Sequence, residues 1–370
     1  MGIIRSEERA KAELDEFRRM LMASAGAHRR KSQHDHRFNG AVDETDDGDQ
    51  GGLVCVTSGL SFLGIAIVNC LLIRGYSVRI IVDNPEDLEK IEEMESNYNN
   101  GNNNSNNISA IMANLADEES LLPEVFKDCR GVFHTSAFID PAGLSGYTKY
   151  MADIEAKASE NVIKACARTP SVKKFVLTSS LLTCLWRDST RQQENSLLIN
   201  HDSWSSESLC RDKKLWYALG KLRAEKATWI VAEESGLNMA SICPGLITGP
   251  EFYNINSTAT TAYLKGAQEM YKNGLLASVD VNRLAEAHVC VYEAMNKTTG
   301  GRYICFDEII NDEEGAEKLA KEINVPKSKF CGTERGTSNA PTQFQLSKKK
   351  LTNLMSTQQR PCYNQSQEQL

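Results

Sequence analysis

Apolar positions come in short blocks separated by amphipathic or polar stretches. Leu53–Thr57, Ser77–Val82, Ile108–Ala113, Gly131–Ala137, Lys174–Ser180 and Leu237–Cys243 are runs of strand length, rich in β-branched and aromatic residues. Between them lie segments of helical composition: one from the turn after Thr57 to about Arg74, one over Glu155–Arg168, and one through Trp216–Ala227. Strands alternating with helices predict an α/β fold, a doubly wound parallel sheet. Beyond Pro250 the rhythm is less regular. Helices are predicted over Asn256–Asn273, Arg283–Ala294 and Glu314–Ile323, with strands at Ser278–Val281 and Tyr303–Phe306. This part reads as a smaller C-terminal lobe that closes a substrate cleft.

The ends of the chain differ. Residues 1–50 read as an extension: a helix over Glu7–Met22 with Leu14, Phe17 and Leu21 on one face, then a polar linker. Met1–Ser6 matches the N-myristoylation pattern at Gly2, which predicts membrane association only if that acylation occurs. Asn97–Asn107 is nearly all asparagine, glycine and serine, a low-complexity loop. The main domain spans 51–332, and 333–370 reads as a polar, loosely ordered tail.

Composition narrows the function classes. Of 370 residues, 41% are hydrophobic and 25% charged, which fits a soluble globular protein. A net charge of −7 argues against a general nucleic-acid binder. No apolar run reaches the ~18 residues of a membrane span, and the charged N-terminus is not a secretory signal. The 11 cysteines form no Cys-x-x-Cys pair and the six histidines no ligand spacing, so reduced thiols, a cytoplasmic location and no metal are expected.

Three stretches carry chemistry. The first is the turn Ser58-Gly59-Leu60-Ser61-Phe62-Leu63-Gly64 between the first strand and its helix. A helix N-terminus there would hold a pyrophosphate. Asp83 ends the second strand at close to the ~20-residue interval expected of a ribose-binding carboxylate. Gly59 and Gly64 remain, but Ser58 and Ser61 stand where glycines are usual. The second stretch is the strand that stops at Thr178-Ser179-Ser180, placing hydroxyls where open α/β sheets bind ligands. The third is Trp216–Lys221. Tyr217 and Lys221 lie one helical turn apart on one face. A free phenol titrates near pH ~10; a neighbouring ammonium lowers that value and suits the tyrosine to protonating a carbonyl oxygen. As an isolated pair this spacing is as readily a surface packing contact. His134 reads as a packed strand residue.

Taken together, Val54–Thr57, Gly131–Thr135, Phe175–Ser180, Asp202–Ser205, Trp216–Lys221 and Gly301–Tyr303 resemble the extended short-chain dehydrogenase/reductases. Within them the chain is similar to the plant cinnamoyl-CoA reductase and dihydroflavonol reductase group, over about Leu53–Ile323. The resemblance implies a Rossmann-like NAD(P)-binding domain and hydride transfer to a small-molecule carbonyl or acyl-CoA thioester, as in phenylpropanoid metabolism. It implies Ser180 as the hydrogen-bond donor to the carbonyl, Tyr217 as acid/base, and Lys221 as ribose ligand and modulator of the tyrosine. Ser58, Gly59, Ser61, Phe62, Leu63, Asp83, Asn114, Leu115, Thr135, Ser136, Ala137 and Pro244, Gly245, Leu246, Ile247 would line the cofactor. Several positions depart from the family pattern. Lys157 falls at its structural asparagine, and Asn114 replaces the adenine-contacting aspartate. Thr261, Leu264 and Asp312 fall where cationic CoA-binding residues are expected, with Lys265 one residue off. A reductase of carbonyls is one reading. The other is a reductase fold that binds nucleotide or a partner without turnover, since fold alone does not fix function. Asp83 favours NAD(H) over NADP(H), because a carboxylate accepts from a ribose 2′-hydroxyl and repels a 2′-phosphate; Arg79 and Lys90 are the cations that would compensate.

Overall fold

The computed structural model describes residues 51–89, 91, 107–121, 123–135, 147–187, 197–250, 262–298, 300–331 and 344–357. The expected helix Glu7–Met22, Gly2, Lys90, Ser136, Ala137, Thr261 and most of the asparagine-rich segment lie outside the described residues.

Seven parallel strands form the central sheet: β1 (Leu53–Val56), β2 (Ser77–Val82), β3 (Ile108–Met112), β4 (Gly131–His134), β5 (Lys174–Thr178), β7 (Asn238–Pro244) and β10 (Gly301–Cys305). Their order is β10-β7-β5-β4-β1-β2-β3. The described helices are α1 (Phe62–Ile73), α2 (Lys149–Ala167), α3 (Leu182–Leu185), α4 (Glu207–Asp212), α5 (Trp216–Ser235), α6 (Ala267–Lys272), α7 (Val281–Ala294), α8 (Glu313–Glu322), α9 (Ser328–Cys331) and α10 (Lys349–Ser356). Alternation within the strands explains how both sheet faces are filled. Val54, Val56, Phe133, Val176 and Ile242 face α1 and α7, while Cys55, Val132, Phe175 and Leu177 face the layer of α2 and α5. Strands buried on both sides need such near-continuous apolar runs.

A third apolar cluster lies beyond the carboxyl ends of the strands. It joins α3, the start of α5, α6 and α8 with Ile199, Leu246 and Phe330. A smaller sheet, β11 (Glu308–Ile309), β9 (Ala277–Asp280) and β8 (Leu246–Thr248), edges this lobe. The cluster draws on residues from both sides of Pro250, from Leu181 to Phe330.

Part of the expected tail is built into the fold. β12 (Gln345–Leu346) pairs in parallel with β6 (Leu198–Ile199), and α10 packs on α7 and β10. Leu351 is buried there, with Leu354 and Met355 against the same core. Lys348 donates to the Phe306 carbonyl at 2.6 Å, and the Lys350 ammonium lies 4.6 Å from the Tyr303 ring centroid. α2 also starts at Lys149, earlier than the sequence pattern predicts, with the Thr148 hydroxyl capping the Met151 amide. Among the described residues no helix is long and apolar enough to cross a membrane.

Candidate active site

The strand order reverses at β1, which pairs with β2 on one side and β4 on the other. Open α/β sheets bind ligands in the crevice outside such a switch point. The turn Ser58–Ser61 leads into α1 at that end. A Cβ on Gly64 would sit 1.9 Å from the Ser58 carbonyl oxygen, and one on Gly59 would sit 2.7 Å from the Ile80 side chain. The two retained glycines therefore serve close packing of α1 on the strands. Ser61 adopts extended backbone, φ −74°, which needs no glycine. Its hydroxyl donates to the Ser58 carbonyl at 2.7 Å and accepts from the Gly64 amide at 3.1 Å. This serine caps its own helix, and one amide of the anion-binding end is already satisfied.

Around that turn the expected cofactor residues separate. Phe62 is half-buried between the sheet core and the lobe, whereas the Leu63 and Leu246 side chains are core and offer only backbone toward a ligand. Asp83 is exposed at the end of β2, accepting from the Asn84 amide at 3.2 Å. Arg79 is turned away: its guanidinium donates to the carbonyls of Val125 and Lys127 at 3.0 and 2.8 Å. Asn114 is exposed, and the amide oxygen expected to face adenine accepts from the Ala116 amide at 3.0 Å. Beside it, the Leu115 carbonyl accepts from Asn161. Thr135 follows β4 with its hydroxyl buried and, among the described residues, without a partner. A buried unpaired hydroxyl at the switch point fits a polar ligand. The turn, Asp83 and Thr135 together fit a dinucleotide.

The catalytic candidates lie one strand further on, Ser180 just after β5 and Tyr217 and Lys221 on α5. The Ser179 amide donates to the Ile242 carbonyl and the Leu181 amide to the Pro244 carbonyl, at 2.8 and 2.7 Å. Ser180 and the Pro244–Ile247 segment are thus held side by side. Gly245 passes so close to β9 that a Cβ would lie 2.6 Å from the Ala277 oxygen. Ser180 is buried, and its hydroxyl accepts from the Leu182 amide at 3.3 Å. Glu225, two turns along α5 from Tyr217, fastens this turn to the helix. It is fully buried and accepts from Ser179 at 2.7 Å, Thr183 at 2.9 Å, Ser241 at 2.5 Å and Arg302 at 2.8 Å. Burial pushes its carboxyl up, but Arg302 and the hydroxyl donors bring it below the usual carboxylate value. Arg302 also donates to the Ser203 carbonyl at 2.6 Å and stacks 3.6 Å from the Trp204 ring centroid. The Asp202–Ser205 and Gly301–Tyr303 segments are one structural unit.

Tyr217 is half-buried at the start of α5, and the Lys221 ammonium lies 5.8 Å from its ring centroid. Lys221 is buried and paired with Glu155 at 2.6 Å. Burial pulls the lysine down, but Glu155 and Tyr217 leave it above its ordinary value. Burial raises the Tyr217 phenol; Lys221 lowers it and Glu155 raises it, with a net upward result. The lysine's downward pull expected from sequence is present but outweighed. Lys157, at the asparagine position, points outward to Glu118 at 3.9 Å. His134 is buried between the Thr57 and Ser159 hydroxyls, each 2.9 Å away. Burial, helped by Lys221, holds it neutral down to about 3.

Three residues of this neighbourhood have no sequence motif of their own. Glu155 lies on the buried stripe of α2, and Glu225 four residues after Lys221. Tyr263 is buried in the lobe cluster, near enough to Tyr217 for the two to interact electrostatically, and among the described residues its hydroxyl has no hydrogen-bond partner.

Residues 55–324 match the 3-beta hydroxysteroid dehydrogenase/isomerase family. The chain belongs to this family. Cinnamoyl-CoA reductase 1 of Petunia hybrida is 32% identical over 73% of this chain and 77% of its own length. Tetraketide alpha-pyrone reductase 1 of Arabidopsis thaliana is 31% identical over 75% and 83%. Among solved structures, vestitone reductase from alfalfa (Medicago sativa L.) superposes with a TM-score of 0.56 at 24% identity, covering 82% of this chain and 92% of that one. The yeast methylglyoxal/isovaleraldehyde reductase Gre2, complexed with NADPH, gives a TM-score of 0.60 at 20% identity over 82% and 93%. These two show the fold. The family and its curated relatives place the chain among NAD(P)-dependent oxidoreductases of the cinnamoyl-CoA reductase-like type.

Proposed function

We propose that this protein reduces the carbonyl of a small, uncharged aldehyde or ketone, with Tyr217 as proton donor. Bound at the switch point, a reduced nicotinamide supplies the hydride. Ser180 holds the carbonyl oxygen, Tyr217 Oη delivers the proton to it, and Lys221 supplies positive charge beside the phenol and a donor to the ribose. The Tyr263 hydroxyl, without a partner among the described residues, offers a hydrogen bond to a polar group of the substrate. One observation supports this reading: Glu225 hydrogen-bonds Ser179 and Thr183, on either side of Ser180, from the helix that bears Tyr217 and Lys221. Asp83 at the end of β2, with Arg79 engaged elsewhere, supports NAD(H) as the preferred cofactor.

The test is turnover of a coniferaldehyde-type aldehyde with NADH by the parent and by Tyr217→Phe. General acid groups contribute ~10²–10⁴ in rate, so the variant should lose that much in kcat and keep its NADH affinity. Turnover at the parental rate by the phenylalanine variant refutes the assignment. A second reading, nucleotide binding without turnover, is favoured by the self-capping of Ser61 at the phosphate turn. NADH binding with no reduction of any aldehyde, ketone or thioester tested supports it.

A further inference from the structure

His134 is the last residue of β4 and packs against Phe175, ring centroids 6.0 Å apart. Packing alone does not ask for an imidazole there. A polar ring costs more to bury than an apolar one unless its nitrogens are paired. Both are paired in this fold. Nδ1 lies 2.9 Å from the Thr57 hydroxyl and Nε2 lies 2.9 Å from the Ser159 hydroxyl, and the residue is fully buried.

The two hydroxyls belong to different halves of the site. Thr57 follows β1 and immediately precedes the turn Ser58–Ser61. Its amide donates to the Phe133 carbonyl at 3.1 Å, and its hydroxyl accepts from the Thr135 amide at 3.2 Å. Ser159 lies on the buried stripe of α2, four residues after Glu155 and so on the same side of the helix. Glu155 in turn holds Lys221 at 2.6 Å. One buried ring therefore stands between the turn that fits a pyrophosphate and the helix whose glutamate holds the lysine proposed for the ribose. Lys221 is near enough to help burial keep that ring neutral. A neutral imidazole has one donor nitrogen and one acceptor. With the Thr135 amide donating to Thr57 Oγ1, the Thr57 proton is directed to Nδ1, and Nε2 carries the ring proton toward Ser159.

We propose that His134, protonated at Nε2, is a positioning residue that fixes the spacing between the phosphate turn and Lys221, and with it the affinity for ligands long enough to engage both. The inference rests on the reading of the switch point as the dinucleotide site. A mononucleotide ends at the turn, whereas a dinucleotide continues to Lys221. Breaking the bridge should weaken the second and spare the first. A side chain that only filled the core would, when changed, weaken both or neither.

Calorimetric titration of NADH, ADP-ribose and AMP into the parent, His134→Gln and Ser159→Ala tests this. Glutamine keeps a donor toward Ser159 and gives up the contact with Thr57. Ser159→Ala removes the other contact and introduces a good helix former; it decides the question if the glutamine variant does not fold. In both variants NADH and ADP-ribose should bind about three- to tenfold more weakly, the size of one lost hydrogen bond, while AMP binds as it does to the parent. Equal weakening of all three ligands, or undiminished binding of NADH, overturns the proposal. So does a proton–nitrogen NMR spectrum that shows the His134 ring protonated at Nδ1, or doubly protonated, at neutral pH. Failure of the underlying reading shows differently: a parent that binds none of the three ligands removes the dinucleotide site and the inference with it.

Discussion

Glu225 and Arg302 form a buried ion pair, Oε1 to Nε 2.8 Å, that ties α5, the Ser180 turn, β7 and β10 to one point. Every oxygen of the carboxylate is engaged, and the guanidinium reaches the His201 and Ser203 carbonyls as well. The pair matters for the candidate site because it links the strand end that bears Ser180 to the helix that bears Tyr217 and Lys221.

Removing one member of such a pair leaves a buried charge uncompensated, at a cost of roughly 3–5 kcal/mol. Arg302→Met should therefore lower the melting temperature by something on the order of 5–10 °C. It should also depress kcat, since the Ser180 turn loses its anchor. A melting temperature within a degree or two of the parent would show that hydroxyl donors alone hold Glu225.

Two buried histidines make stability depend on pH. Burial holds His134 neutral down to about 3 and His288 down to about 4. Unfolded, each takes a proton at its ordinary value near ~6.5. The unfolded chain thus binds more protons between that value and the folded ones, so stability is complete above ~6.5 and is lost as pH falls toward 4 and below. Each group contributes about 1.4 kcal/mol per pH unit within its window. His288 Nδ1 donates to the Leu284 carbonyl and its Nε2 meets the Thr178 hydroxyl, both at 2.8 Å. His288→Gln should flatten the decline in melting temperature between pH 7 and pH 5 relative to the parent. Parallel pH profiles would show that other groups dominate acid unfolding.

How legible each part was in the sequence depends on how local its cause is. The strands were plain because Val54, Cys55 and Val56 are apolar on both faces, as a doubly covered sheet requires. Tyr217 and Lys221 were plain because their spacing is one helical turn. Glu155 was hidden by a boundary: with the helix expected to begin there, an acidic residue is ordinary first-turn chemistry. The helix begins at Lys149, which moves Glu155 into the second turn and onto the buried stripe with Ala158, Ser159 and Val162. Glu225 sits in a run of charged residues, and the partner that makes it special is 77 positions away in β10. The docking of Leu351 likewise depends on α7 and β10, which no local pattern reveals.

The proposed preference for NAD(H) rests on the end of β2. With Asp83 exposed there and Arg79 committed to backbone carbonyls, NADH should bind this protein at least ~10-fold more tightly than NADPH, a difference of about 1.4 kcal/mol. Asp83→Ala should narrow the gap mainly by improving NADPH. Fluorescence titration of both dinucleotides against both proteins measures it. Tighter NADPH binding by the parent would refute the role given to Asp83.

The substrate prediction turns on charge. Leu264 is buried in the lobe core, so that position offers no cation to a CoA phosphate. Asp312 caps α8 through the Gly315 amide at 2.7 Å and is exposed, a structural role with the wrong sign for a phosphate contact. Lys265 remains, exposed in the turn before α6. Each charge-assisted hydrogen bond contributes ~1.5–3 kcal/mol, so two lost contacts weaken a CoA thioester by a factor on the order of a hundred or more. The protein should reduce feruloyl-CoA poorly and a coniferaldehyde-type aldehyde better. Steady-state assays of both substrates decide the matter. A kcat/KM for feruloyl-CoA of ~10⁴ M⁻¹s⁻¹ or above, within the ordinary enzyme range, would mean that the missing cations are supplied from elsewhere in the chain, and restoring one by Leu264→Lys should then bring no gain.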